Sequence, residues 1–255
     1  MKGEIDMRYL IIFILLTGVL LAQSGYEIAK MVDERLAPKD LTNTTNMILT
    51  NSRGKTRTHT MISKSMDGNK KQIIWFLEPK DDKGVAFLKI EHDDRDDEMR
   101  MWLPAFKKVR RISSKKKGDA FMGSDLSYED LSSRELNEND YNRMEDEPVN
   151  GIDCYVLEII PKKKAKSSYT KHISWVDKST LTAVKENSFD KREKLHKTKE
   201  FGYRHIGDYQ VINRVFVRDT QNQHSTEVMF SDIKVDSGMD ENLFHEKNLK
   251  RLPRD

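Results

Sequence analysis

From residue 43 to residue 233, turn material cuts the chain into short segments rich in β-branched, aromatic and Met residues. They run 43–50, 56–65, 71–77, 85–92, 98–103 and 107–113, then 141–147, 152–161, 169–176, 181–189, 195–201, 211–218 and 224–233. The cuts include NSRG at 51–54, MDGN at 66–69, EPKDDKG at 78–84, HDDRDD at 92–97, PVNG at 148–151, DKST at 177–180 and NQ at 222–223. Short strands at regular spacing with turns between them predict an antiparallel meander. About a dozen such strands cannot lie flat, because strands twist and long sheets curl. The expectation is a mainly β fold, a barrel or half-barrel with an apolar concave face that a few helices can cover.

Residues 118–131 (GDAFMGSDLSYEDL) break the rhythm and read as an ordered loop containing a helical turn. Helices are expected only at the two ends of the mature chain. Residues 25–36 place Ile28, Met31, Val32 and Leu36 near helical spacing, with Pro38 just beyond. Near the other end, Asp240 can cap a short helix carrying Leu243, Phe244 and Leu249. No low-complexity linker and no repeat of fixed period divides residues 25–255, which read as a single domain.

Ahead of that domain, residues 10–21 (LIIFILLTGVLL) form an uncharged apolar stretch too short to span a bilayer as a helix and of the right length for a signal-peptide core. Residues 1–24 are therefore expected to be a signal peptide, cut after Ala22 or Ser24, with Met7 as the better start because Arg8 then stands without Glu4 and Asp6. No cysteine follows the apolar stretch to be acylated, so the mature chain is expected free in the periplasm. The composition agrees with an exported globular domain. At 36% hydrophobic and 34% charged, the chain is too polar for a multi-span membrane protein and too rich in apolar runs to be disordered. A net charge of +3 gives no global field for nucleic acid.

Enzymatic chemistry finds little support. Cys154 is the only cysteine, which excludes a disulfide framework and any multi-cysteine metal site. The seven histidines are scattered, and there is no HExxH, no P-loop and no G-x-S-x-G elbow around Ser124. The acidic run EHDDRDDE at 91–98 lacks the glycine and the closing Glu of a calcium loop and reads as a solvated hairpin tip. No catalytic residue, cofactor or metal site is expected. The basic run KKVRRISSKKK at 107–117 is different in kind. Lys107, Lys108, Arg110 and Arg111 make a candidate patch for docking on an anionic membrane surface or an acidic partner.

What remains is apolar surface. IIWFL (73–77), VAFLKI (85–90), MRMWL (99–103), CYVLEII (154–160) and VINRVFV (211–217) are apolar on both faces of their strands. One set can fill a core while the other meets a ligand. From size and strand placement, Trp75, Phe87, Met101, Trp102, Phe121, Met122, Trp175, Phe216 and Phe230 are the candidate lining of a hydrophobic cavity.

Residues 102–131, WLPAFKKVRRISSKKKGDAFMGSDLSYEDL, closely resemble the signature of the outer-membrane lipoprotein-sorting-like proteins, a LolA-like group. That signature reads W-x-P-x-x-x-K-V-R-R-I, a short spacer, then G-D-x-F-M-G-S-D-x-S-Y-E-D. The flanking strands, WVDKST at 175–180 and the C-terminal segment extend the resemblance over nearly all of the mature chain. It implies an unclosed antiparallel β-barrel with helices as a lid over the concave side and a cavity for acyl chains. It further implies a periplasmic carrier of lipoproteins or lipids towards the outer membrane. Implied partners are an acylated lipoprotein or phospholipid, an inner-membrane ABC or RND transporter and transient contact with a membrane surface, with no nucleic acid. Phe121, Met122 and Tyr128 become packing or ligand contacts, and Asp119, Asp125, Glu129 and Asp130 become partners for Arg110 and Arg111. The alternative is an accessory or lipid-sensing module of such a transporter, and a third reading is an envelope structural protein with a filled core.

Overall fold

The computed structural model describes residues 23–253; the expected signal peptide lies, but for Gln23 and Ser24, outside them. One helix, α1 (Gly25–Asp33), leads into thirteen strands. The first six are β1 (Asp40–Thr50), β2 (Thr56–Met66), β3 (Lys71–Glu78), β4 (Ala86–Ile90), β5 (Glu98–Leu103) and β6 (Lys108–Ile112). After a crossing segment, residues 113–138, come β7 (Asn139–Arg143), β8 (Cys154–Pro161), β9 (Lys171–Asp177), β10 (Ala183–Phe189), β11 (Leu195–Ile206), β12 (Tyr209–Asp219) and β13 (His224–Val235). Each corresponds to one of the thirteen segments read from the sequence, with ends shifted by a few residues.

All thirteen form one antiparallel sheet in the order β6-β5-β4-β3-β2-β1-β13-β12-β11-β10-β9-β8-β7. The first and last strands pair through a long register, Leu41 opposite Val235 to Thr50 opposite Ser225. That pairing joins two meanders and leaves β6 and β7 as free edges, so the barrel stays unclosed. Alternation along the strands assigns two faces. The inner face meets the crossing segment: Met61, Ile74, Phe87, Met99 and Met101 pack around Phe121, Leu126 and Tyr128. Phe121 lies 5.3 Å from Phe87 and 5.8 Å from Tyr128, ring centre to ring centre.

α1 begins with a reciprocal cap, in which the Glu27 N–H donates to Ser24 Oγ and the Ser24 N–H donates to Glu27 Oε2. Ile28 and Ala29 bury against Leu157, Ile159 and Val176, so the helix covers the inner face of β8 and β9. Its start sits so close to β7 that a Cβ on Gly25 would lie 2.6 Å from the Tyr141 carbonyl oxygen. The helix stops at Asp33, one turn earlier than its apolar spacing predicts, and Leu36 is exposed. Arg35 instead donates from Nη1 to the Gln210 carbonyl oxygen at 2.9 Å, tying this stretch to β12.

The C-terminal segment differs from expectation. Two 3₁₀ turns, Glu241–Leu243 and Glu246–Lys250, replace the short helix, and they cover the outer face of the sheet, not the inner one. Five residues separate Phe244 from Leu249, which on an α-helix sets them about 140° apart. Breaking the segment at the extended residue His245 lets both reach Ile73, Trp75, Ala86 and Leu88. Asp240 caps as expected, accepting from the Asn242 N–H at 2.9 Å.

Candidate functional site

Between α1, the crossing segment and the inner face lies a hollow of about 680 Å³. Strands β1, β2 and β3 line it together with β7 to β13, which requires the sheet to curl around it. Its wall has three chemically distinct parts. Met47, Met61, Ile74, Val228 and Phe230 of the sheet, with Phe121 and Leu126 of the crossing segment, make an apolar end. Ala29 and Val32 of α1, facing Leu157, Ile159 and Val176, make a second apolar wall. Along β1 and β2 runs a neutral polar stripe of Asn43, Thr45, Ser63 and Ser65, all buried.

A buried ionic clamp borders the hollow and fixes the crossing segment. Asp130 accepts from Lys197 Nζ at 3.0 Å, from Tyr169 Oη at 2.9 Å and from the Ser127 N–H at 2.8 Å, and it also contacts Lys199. Lys199 reaches on to Glu186 at 3.1 Å, and Glu186 is gripped by Arg134 through both guanidinium nitrogens at 2.6 and 2.8 Å. Burial by itself would raise the Asp130 carboxyl, but Lys199 and Lys197 outweigh it and hold it well below the ordinary value. Glu186 is likewise pushed up by burial and pulled well below by Arg134 and Lys199. His172, whose Nδ1 lies 2.9 Å from Ser188 Oγ, is held neutral by burial and by the nearby Arg134. A second tether sits at the segment's exit. Buried Lys89 donates to the Leu131 carbonyl oxygen at 2.7 Å and pairs with Glu91, which accepts from the Ser133 N–H at 2.9 Å.

Comparison with known proteins gives the same fold and a family. A family described as "Uncharacterized protein" matches residues 68–251. A putative outer membrane lipoprotein-sorting protein domain from Vibrio parahaemolyticus is 37% identical, with a TM-score of 0.84 over 89% of this chain and 98% of that one. The chain belongs to this lipoprotein-sorting-like family. A DUF1329 family protein from Desulfovibrio piger is 30% identical at a TM-score of 0.83, covering 88% of this chain and 97% of its own. A LolA superfamily protein from Nitrosomonas europaea shares the fold at 17% identity, with a TM-score of 0.71 over 89% of this chain and 99% of that one. No curated protein matches the sequence.

Within this family member the nine residues singled out from the sequence fall into three groups. Phe121 and Phe230 line the hollow. Phe87, Met101 and Met122 belong to the packed inner cluster beside it. Trp75, Trp102, Trp175 and Phe216 sit on the outer face. There Trp75 Nε1 donates to the Asn248 carbonyl oxygen at 3.3 Å, and Lys250 stands over the Trp102 ring. Trp175 Nε1 donates to Glu147 at 2.9 Å, and Phe216 lies under Arg214 and Arg218.

The family's acidic residues do not pair with Arg110 and Arg111, which corrects the expectation. Asp130 belongs to the clamp, Asp125 accepts from Thr226 Oγ1 at 2.7 Å, and Glu129 accepts from the Ser168 N–H at 2.7 Å. Side-chain direction explains the failure: Arg110 and Arg111 lie exposed on the free edge strand β6, whereas Asp125 and Asp130 turn inward. Among the described residues, Lys107, Lys108, Arg110 and Arg111 have no carboxylate within 4.0 Å. They follow Phe106, which stands 70% exposed at the β5–β6 hairpin tip. The acidic loop at 91–98 is solvated only in part, since Glu91 is buried with Lys89 and burial raises the Asp97 carboxyl.

Proposed function

We propose that this chain is a periplasmic carrier that takes the acyl chain of a lipoprotein or lipid into its hollow and passes it on towards the outer membrane. The observation that carries the reading is the hollow itself: about 680 Å³ between two apolar walls, left open by the chain's own side chains. Membership of a family whose Vibrio parahaemolyticus relative is named a lipoprotein-sorting domain supports it. Burying lipid chain is favourable by about 0.8 kcal/mol per methylene, so roughly 14 buried methylenes could gain about 11 kcal/mol as an upper bound. Affinity of that size would prevent release, and the crossing segment supplies the counterweight. Phe121 and Leu126 compete with cargo for the same wall, and differential binding of open and filled states sets the affinity.

Exchange also needs a place to dock. The unpaired cations of Lys107, Lys108, Arg110 and Arg111 beside Phe106 suit an anionic membrane surface, with the aromatic ring entering the interface. In this reading the donor is an inner-membrane ABC or RND transporter, and the apolar run at 10–21 directs export. Native mass spectrometry of protein purified from its own envelope tests the proposal. A non-covalent acylated adduct is expected, and protein that consistently carries none while bound to a transporter would favour the accessory role.

A further inference from the structure

The hollow's polar stripe asks for a ligand that is not pure hydrocarbon. Asn43 and Thr45 on β1 and Ser63 and Ser65 on β2 alternate with outward residues on strands near the middle of the sheet, where an acyl chain alone would be served better by Val or Leu. Among the described residues the stripe satisfies itself sparsely. Thr45 Oγ1 donates to Asn43 Oδ1 at 2.6 Å, and Gln72 Nε2 reaches Ser63 Oγ only at 3.5 Å. Gln72 Oε1 and Ser132 Oγ, on two further residues of the same wall, are buried without any partner. A hydrocarbon filling the hollow would displace water from these groups and return no hydrogen bond, which is costly in a low-dielectric site.

Size narrows the ligand further. If a methylene occupies about the 30 Å³ of a liquid water molecule, a hollow of 680 Å³ holds on the order of 20 such groups, enough for one long acyl chain with its linkage and not for two. Resting on the carrier reading, we infer that the hollow takes a single acyl chain together with an uncharged ester or amide linkage. The chain lies against Met47, Met61 and Phe230, and the linkage hydrogen-bonds to Asn43, Ser63 and Ser65. The clamp formed by Asp130, Glu186 and Lys199 satisfies its charges through its own pairs, so these residues offer no free charge to a headgroup.

The test is displacement of bound cis-parinaric acid methyl ester by 1-monopalmitoylglycerol and by hexadecane, each delivered from cyclodextrin. The stripe predicts that the ester displaces the probe at a concentration at least about tenfold lower than the alkane, the worth of one or two neutral hydrogen bonds. In Ser63→Ala/Ser65→Ala protein, which loses two oxygens and no packing volume of note, that preference is expected to shrink towards parity. Ser65→Ala alone, checked by thermal melting, serves if the double variant folds poorly. A triacylated lipopeptide run in parallel separates the sources of the chain. Displacement by it as well as by the monoacyl ester points to a lipoprotein, and displacement by the ester alone to a free single-chain lipid. Equal displacement by alkane and ester, or an unchanged preference in the variants, would overturn this inference and leave the carrier reading standing. No binding of the parinarate ester at all would overturn both.

Discussion

Lys197 Nζ lies 3.0 Å from Asp130 Oδ2 although 67 residues separate them in the chain, and this pair fastens the crossing segment to β11. Asp130 also holds Lys199, so Asp130→Asn leaves two buried ammonium groups short of their counter-charge. Loss of about 3–5 kcal/mol is expected, as for other buried pairs broken from one side. Urea unfolding checks it, and a change below about 1 kcal/mol would mean that the segment is held by its aromatic contacts alone.

Acid should weaken the fold in two stages. Burial depresses the pKa of both His172 and His59, so each stays neutral in the folded protein where the unfolded chain takes up a proton. Their contribution is complete above about pH 6.5 and is lost as pH falls below it, at up to about 1.4 kcal/mol per pH unit for each histidine. Asp130 and Glu186, also depressed, extend the decline below about pH 4. Asp97 and Asp125, raised by burial, act in the opposite sense as they take up protons. Unfolding measured between about pH 7 and pH 5.5 should show the first stage, and His172→Gln should flatten it relative to the parent. A pH-independent stability across that window would contradict the assignment.

Gly25→Ala should unseat α1. The added methyl would lie 2.6 Å from the Tyr141 carbonyl oxygen and 2.7 Å from the Arg143 amide nitrogen, backbone atoms of a strand that cannot yield like a side chain. A cost of about 1–3 kcal/mol is expected. Because Ala29 and Val32 form one wall of the hollow, the variant should also bind more of an apolar dye such as ANS. Parent-like stability and dye binding would show that the helix end tolerates displacement.

Arg110→Glu/Arg111→Glu should leave stability within about 0.5 kcal/mol, since both side chains are exposed and unpaired. Binding to vesicles rich in phosphatidylglycerol should fall steeply at low salt and converge with the parent at high salt. Undiminished binding at low salt would remove the β6 edge from the docking model.

Much of the architecture could be read in the sequence, because period-two segments broken by turn residues are local signals. The thirteen strands follow from them, α1 follows from the near-helical spacing of Ile28, Met31 and Val32, and the two-sided apolar runs match the cover found on both faces of β3 to β5. Which face turns inward was not legible. Size marks burial but not side, so it places Trp75, Trp102, Trp175 and Phe216 with Phe121 and Phe230 although they point away from the hollow. The better signal was polar: Asn43 and Thr45, then Ser63 and Ser65, each two apart on strands near the middle of the sheet. The clamp had no local signature, since Asp130, Glu186 and Lys199 are brought together only by the crossing segment and the sheet's curvature. Lys197 and Lys199 on one face of β11 were its one visible trace.

The most direct test is a crystal structure of the protein with palmitic acid brominated at its terminal carbon. The account predicts an anomalous bromine peak inside the hollow, among Met47, Met61, Val228 and Phe230. Bromine found only on the outer surface, or a hollow closed by its own side chains with none bound, would contradict it.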